Sequence, residues 1–347
     1  MSISHAINAA QSGLKVSGLR ADIVATNVAN ASTPGYVRRS VLLGETLVGG
    51  RTSGVTATGV TRSADAALTA ERRTLSSDVA QASLMSSTWQ VLSSRLGDDA
   101  EGTGLFSKFS KFEAALSASV TSPESGTQLA ALLDSANAVV TELNSLSKLV
   151  SQQRSEADRE IADGVNVVNK ALKQIEELNG LLVGVDGSTS QAAALMDERQ
   201  RTLDTIAEYL PIEVVPREGG AIDIITVEGV YLVAGKAKQL EFSPANSFGA
   251  DMTLDNGALS GLTIDGQNLT PGASSYAAVS SGMFGALFTL RDTDLPAFGA
   301  QLDTIANDLV TRLSNDSIDP TKTPGDFGLF VDTGTPGDPG LAGRIDI

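Results

Sequence analysis

From Leu132 to Leu182 an apolar residue returns every three or four positions: Leu132, Ala136, Val139, Leu143, Leu146 and Val150, then Ile161, Val165, Val168, Leu172, Ile175, Leu178 and Leu182. That period places all of them on one face of a helix. The interval 152–160 between the two runs is polar but holds neither Gly nor Pro. Nothing therefore breaks a single helix of roughly fifty residues, about 75 Å long. The spacing is that of a coiled-coil-like bundle helix. A globular domain seldom needs such a rod, so the chain is expected to be elongated.

Shorter helical periods flank the rod. Ala67, Leu68, Leu75, Val79, Leu84, Trp89, Val91, Leu92 and Leu96 mark one, broken at Gly97, and Leu105, Phe106, Phe109, Phe112, Leu116 and Val120 mark another, stopped near Pro123. Gly184 to Ser188 ends the rod, and a helix over 191–210 stops at Pro211. Beyond it the period changes to two, in Ile212–Val215, Ile222–Val227 and Val230–Val233, with glycine-containing turns between them and a hairpin signal at Asn256-Gly257. Helical spacing resumes at Phe284 and again from Leu295 to Leu313.

The expected fold is mainly α with an inserted small antiparallel β domain, built around a long helical bundle. Its expected divisions are an N-terminal helix and turn (1–36), an extended linker or short strands (37–64), a helical bundle (65–210), the β domain (211–281), a returning helix (282–316) and a Gly/Pro/Asp-rich loop (317–347).

At 347 residues and 41% hydrophobic content the chain can bury a core in two or three domains, but only 4% of it is aromatic. Cores must then be packed from small aliphatic side chains, which lets helices approach closely. The net charge of −16 argues against nucleic acid and anionic membranes as partners, since no basic stripe is present to neutralise phosphates. The absence of cysteine removes disulfides and zinc–thiolate sites. No apolar run reaches 18 residues, and the N-terminus lacks the basic start and apolar core of a cleavable secretory signal.

The N-terminal segment carries two signals in succession. Ile3, Ile7, Ala10, Leu14, Ser17, Ala21, Val24 and Val28 alternate spacings of four and three, a seam for a partner helix. After Asn27 and Asn30 comes Thr33-Pro34-Gly35-Tyr36. Proline presets φ at one central position of a type II turn and glycine accepts positive φ at the next. This seam, Asn-rich helix end and turn, in that order at the N-terminus, closely resemble the signature of bacterial flagellar rod, hook and hook-associated proteins. Thr26 departs from it, where many members carry a second asparagine.

The long rod, Val168-Asn169, Leu178-Asn179, Leu195-Met196-Asp197-Glu198-Arg199-Gln200, Tyr231–Gly235 and Gly285–Asp292 narrow the resemblance to the hook-associated protein 1 branch of that family. The resemblance implies a structural protein, not an enzyme, at the junction between hook and filament. It implies self-assembly into a ring through N- and C-terminal helices, with the hook protein and a second junction protein as neighbours. It further implies extracellular placement by type III export, with an export chaperone acting on a C-terminal part. Family members close with a C-terminal helix that pairs with the N-terminal one, so such a helix is expected beyond Ile347. Without it the first helix is expected to be loose or to dock elsewhere. Another rod or hook protein is the alternative within the family. The assembly residues are expected to be Ile3, Ile7, Leu14, Ala21, Val24, Asn27, Val28, Asn30, Thr33, Pro34, Gly35 and Tyr36.

Other chemistry finds little support in the residues. No cofactor is expected, since P-loop spacing is missing, and the single histidine, His5, reads as a helix-surface residue. The cluster Asp197-Glu198-Arg199 reads as a solvated or intrahelically paired face used in bundle packing. Phe330-Val331-Asp332-Thr333-Gly334 resembles the active-site turn of aspartic proteases, whose two carboxylates share a proton. With one such turn the chain would have to dimerise. Asp251, Asp255 and Asp265 among glycines lack calcium-loop spacing and read as turn residues.

Overall fold

The computed structural model describes residues 3–48, 51–98, 100–279, 281–315, 323 and 326–347. Residue 316, the last of the expected returning helix, and 317–322 and 324–325 of the expected C-terminal loop lie outside the described residues. Helix α1 (Ile3–Ala29) is followed by an antiparallel hairpin, β1 (Arg39–Val48) and β2 (Arg51–Arg62). Helices α2 (Ala66–Leu96), α3 (Gly104–Thr121), α4 (Gly126–Val183) and α5 (Ser190–Tyr209) form the bundle. Local chemistry sets their ends. Asp65 caps α2 by accepting from the Ala67 and Leu68 amides, Ser125 caps α4, Thr189 caps α5, and Gly97 ends α2 with φ 72°.

The rod is longer than the apolar repeat predicts: α4 has 58 residues, about 87 Å at 1.5 Å per residue. Its polar interval does not interrupt it. After α5 come a four-stranded antiparallel sheet, β3 (Ile212–Pro216), β4 (Ile222–Thr226), β5 (Tyr231–Ala234) and β6 (Lys236–Ala237), and a three-stranded one, β7 (Leu240–Glu241), β8 (Thr263–Ile264) and β9 (Gln267–Asn268). The chain returns through α6 (Gly282–Thr289), one π-helical turn at Leu290–Asp294 and α7 (Leu295–Leu313). The architecture is thus mainly α with an inserted antiparallel β domain.

Two apolar cores share α4. The C-terminal half of the helix, from Ala157 to Ile175, packs with α5, α6 and the β domain through Ile206, Ile224, Leu232, Leu262 and Phe288. The N-terminal half, from Ala136 to Val150, packs with the end of α2, α3 and α7 through Leu92, Leu105, Phe112, Leu295 and Leu302.

The polar interval lies between the two cores and buries one face, Arg154, Ala157 and Asp158, while Gln152, Glu156 and Arg159 stay exposed. Arg291, fully buried, donates from Nη1 to Asp158 Oδ1 at 2.6 Å and also pairs with Asp292. Arg154 donates to the carbonyls of Arg291, Gly249 and Met252, and Asp158 Oδ2 accepts the Ala245 amide at 2.7 Å. Burial lowers the pKa of Arg154, and neighbouring Arg291 adds to the effect against the opposing charges of Asp292 and Asp251. Two polar residues of this interval, Arg154 and Asp158, therefore fix how α4, the β-domain loops and the π turn sit together.

The C-terminal segment, low in periodicity, joins the second core. Strands β10 (Val331–Asp332) and β11 (Ile345–Asp346) pair, and Phe330, Leu341, Ala342 and Ile345 are buried with α4. The Phe330 ring meets Phe112 edge-on at 5.6 Å. Asp303 of α7 accepts the Gly340 and Ala342 amides.

Candidate functional site

Helix α1 lies against the hairpin and buries Val16 and Ile23, residues between the seam positions. The approach is close enough that a Cβ on Gly54, at φ 146°, would run into Ser12, whose hydroxyl accepts the Val55 amide instead. The seam itself is left uncovered: Ile3, Leu14 and Val28 are between 72% and 79% exposed, and Ile7 and Val24 are each 60% exposed. Ala10, Ser17 and Ala21 share that exposed face, and His5 is exposed as well. The helix is continuous and docked by its opposite face.

The turn after α1 is organised by Asn27. Its Oδ1 accepts from the Arg39 amide at 2.9 Å and the Tyr36 hydroxyl at 2.8 Å, while its Nδ2 donates to the Arg39 carbonyl at 2.9 Å. One amide side chain thus closes the loop from the helix end to the first strand. Asn30 donates to the Thr26 carbonyl and accepts from the Thr33 hydroxyl, and the Tyr36 amide donates to the Thr33 carbonyl across the turn. Gly35 stands at φ 76°, as a type II turn requires, and a Cβ there would also collide with Arg201.

The arm is held to the bundle through Asp197 of α5. This carboxylate, 3% exposed, receives Arg39 Nη2 at 2.7 Å and Arg62 Nη2 at 2.7 Å, one arginine from each strand of the hairpin. The Arg39 guanidinium also stacks over Tyr36, 5.1 Å from the ring centre. The Val60 amide donates to the Ser188 carbonyl, a second attachment of β2 to the bundle.

The expectation of a solvated or intrahelically paired 197–199 cluster holds for Glu198 alone, which pairs with Arg201 one turn on. Asp197 is corrected to an inter-element clasp, and Arg199 donates to the Asn179 side chain and the Gly220 carbonyl. Burial, with nearby Arg62, pushes the Arg199 pKa down to about 10. Sequence reasoning missed the clasp because the partners lie 158 and 135 positions away. The sequence hint is an acid among arginines on a helix that otherwise buries Ala192, Ala193, Thr202, Leu203, Ile206 and Ala207.

The two alternative chemistries meet adverse geometry. Asp332 is paired with Arg344 at 2.8 Å and accepts the Gly334 amide. Burial would raise its pKa, but those hydrogen bonds hold it below the usual carboxylate value, opposite to a proton-sharing dyad. Among the described residues no group of three or more His, Cys, Asp or Glu is placed to hold a metal ion, and Asp265 pairs with Lys238.

The site is thus a clasped N-terminal arm with an uncovered apolar seam, set on a long helical bundle with a β insertion. The helical-domain model of the flagellar hook-associated protein FlgK matches residues 90–317, and the model of the flagella basal body rod protein matches residues 7–36. The chain belongs to the flagellar hook-associated protein FlgK family.

Flagellar hook-associated protein 1 of Salmonella typhimurium is 25% identical over 253 residues, covering 71% of this chain and 45% of that protein. Its Escherichia coli K12 counterpart is 24% identical over 304 residues, covering 84% and 53%. The flagellar hook junction protein FlgK from Burkholderia pseudomallei has the same fold at a TM-score of 0.55 and 18% identity, over 71% of this chain and 43% of that one. The chain spans about half the length of the curated relatives it matches.

Proposed function

We propose that this chain is a structural, non-enzymatic subunit of the junction between hook and filament, assembling into a ring with copies of itself and with the hook protein and a second junction protein as neighbours. The observation that carries the reading is the α1 seam: Ile3, Ile7, Leu14, Val24 and Val28 expose their side chains on one face of a helix whose other face is docked. Such a stripe is stabilised by burial against neighbouring helices, at about 1.5–3 kcal/mol for each large side chain fully covered. Ala21 and Ser17 keep the seam narrow enough for close approach.

In this account residues 1–36 enter the inner layer of the axial structure, Asn27, Asn30 and Thr33 to Tyr36 set the chain's exit from it, the bundle forms the next layer, and the β domain faces outward. Placement is extracellular, by type III export without a cleavable signal peptide and with an export chaperone. Among the described residues no helix is long and apolar enough to cross a membrane. Leu14→Asp or Val24→Asp should abolish incorporation into the flagellum while leaving circular dichroism of the purified chain unchanged. Motile cells with normally incorporated Leu14→Asp protein would overturn the reading.

A further inference from the structure

The β domain is bound to α4 through its backbone as well as through the shared core. Asn169 donates from Nδ2 to the Leu240 carbonyl at 2.9 Å and accepts the Leu240 amide on Oδ1 at 2.8 Å. Asn179 does the same for Ile222, donating at 2.8 Å and accepting at 3.1 Å. Each carboxamide thus bonds both main-chain groups of one residue, as a hydrogen-bonded antiparallel strand would. Glu176 accepts the Ala237 amide, Asp158 accepts the Ala245 amide, and Arg154 donates to the Gly249 and Met252 carbonyls. At 3.6 residues per turn, positions 154, 158, 169, 176 and 179 fall within about 80° of one another around the helix axis and span about 38 Å along it. They form a polar rail beside the apolar line of Ile161, Val165, Val168, Leu172 and Ile175. The rail holds Ile222 and Ala237 of the four-stranded sheet and Leu240 of the three-stranded one, so α4 bridges two separate sheets.

Without the helix these sheets have little to hold them. Strands β6, β7, β8 and β9 are two residues long each. The buried side chains of the β domain, among them Ile224, Leu232, Leu240, Leu262 and Ile264, belong to one core with α4 and α5 instead of a core of their own. Small sheets need a packed apolar face to be stable, and an autonomous domain needs its own core. A further tie comes from the segment after the β domain. Arg291, in the π turn, bonds the Ser260 carbonyl as well as Asp158, and its guanidinium lies 5.6 Å from the Phe242 ring centre and 4.7 Å from that of Phe288.

We propose that α4 is the template on which the β domain folds. The β domain forms only on the helix, oriented by the main-chain hydrogen bonds of Arg154, Asp158, Asn169, Glu176 and Asn179. It opens together with the C-terminal half of α4 as one cooperative unit. Because the rail binds main chain, the attachment does not depend on the outward-facing side chains of the β domain.

Native-state hydrogen exchange of the intact chain in rising denaturant tests this. The expected result is that the amides of β4 and β5 and those of α4 from 157 to 175 converge on one opening isotherm. If the β4 and β5 amides level off at lower protection than that half of α4, the β domain opens alone and the proposal is overturned. Asn169→Ala/Asn179→Ala should lower the protection of β4, β5 and α4 from 157 to 175 together, at least about ten-fold, because paired main-chain groups lose their partners. Asn137→Ala, at an exposed α4 position whose amide donates to the Leu133 carbonyl one turn back, should leave both sets unchanged. Unchanged β4 and β5 protection in the double variant, or a loss confined to the β domain, also overturns the proposal. If the double variant does not fold, the isotherms of the unsubstituted chain decide.

Discussion

The Asp197 carboxylate on α5 receives Arg39 from the first strand after the arm at 2.7 Å, joining residues 158 positions apart. Arg62 completes the contact from the second strand, so both strands of the hairpin are tied to one buried acid. The Asn27 side chain, bonded to the Arg39 backbone, carries the tie back into α1. The direction in which the seam leaves the bundle is thus set by a short relay: Asn27, Arg39, Asp197.

Replacing Asp197 by Asn leaves Arg39 and Arg62 together without their counter-charge. Breaking a buried pair costs about 3–5 kcal/mol, and because both arginines keep slight solvent access the expected loss is about 2–3 kcal/mol. Urea unfolding should show it, and hydrogen exchange should show the hairpin amides losing protection before those of α4.

Gly35→Ala forces a Cβ into a left-handed residue and against Arg201. The expected cost is about 1–2 kcal/mol. The Asn27–Tyr36 bond should weaken with it, read as a shift of the Tyr36 ring resonances by NMR.

The node between the two cores should be strongly coupled. Asp158→Ala removes one of the two carboxylates that hold the buried Arg291 guanidinium and leaves Asp292 as its remaining counter-charge, at an expected cost of about 2–3 kcal/mol. Replacing both, Asp158→Leu with Arg291→Met, should cost less than the sum of the single changes by about 1 kcal/mol or more in a double-mutant cycle followed by denaturant unfolding.

Glu160 has its pKa raised above 4.5 by burial and by the nearby charges of Glu156 and Asp163. For an acid whose folded value is the higher one, ionisation disfavours the fold, so the penalty is absent below about the unfolded value and complete above the folded one. Acidifying from neutral through that window should relieve it. Glu160→Gln should be slightly more stable than the parent at pH 7 and show a flatter stability profile toward pH 5, measured by thermal unfolding.

Much of the architecture is legible in the sequence because it depends on local period. The α4 repeat, the change to period two after Pro211 and the turn at Gly35 each follow from residues close in the chain. What is not legible depends on long-range partners. Asp197 on a helix next to Glu198 and Arg199 looks like surface charge, since neighbours three and four positions away are the only partners a sequence displays. The same limit hides Arg154 and Asp158, whose partners come from Ala245 to Arg291. It also hides the C-terminal core residues Phe330, Leu341 and Ile345, which sit in short apolar stretches of a Gly- and Asp-rich tail and gain meaning only where they meet α4. At the arm, the sequence displays the stripe as apolar, and the structure adds that Ile3, Leu14 and Val28 have no cover from the rest of the described chain.

The central claim, a structural role at the hook–filament junction, is tested most directly by deleting the gene and scoring hooks and filaments by electron microscopy, with and without complementation by the intact gene. The account predicts hooks that persist while filaments are shed, with attachment restored on complementation. Normal filaments on the deletion strain would contradict it.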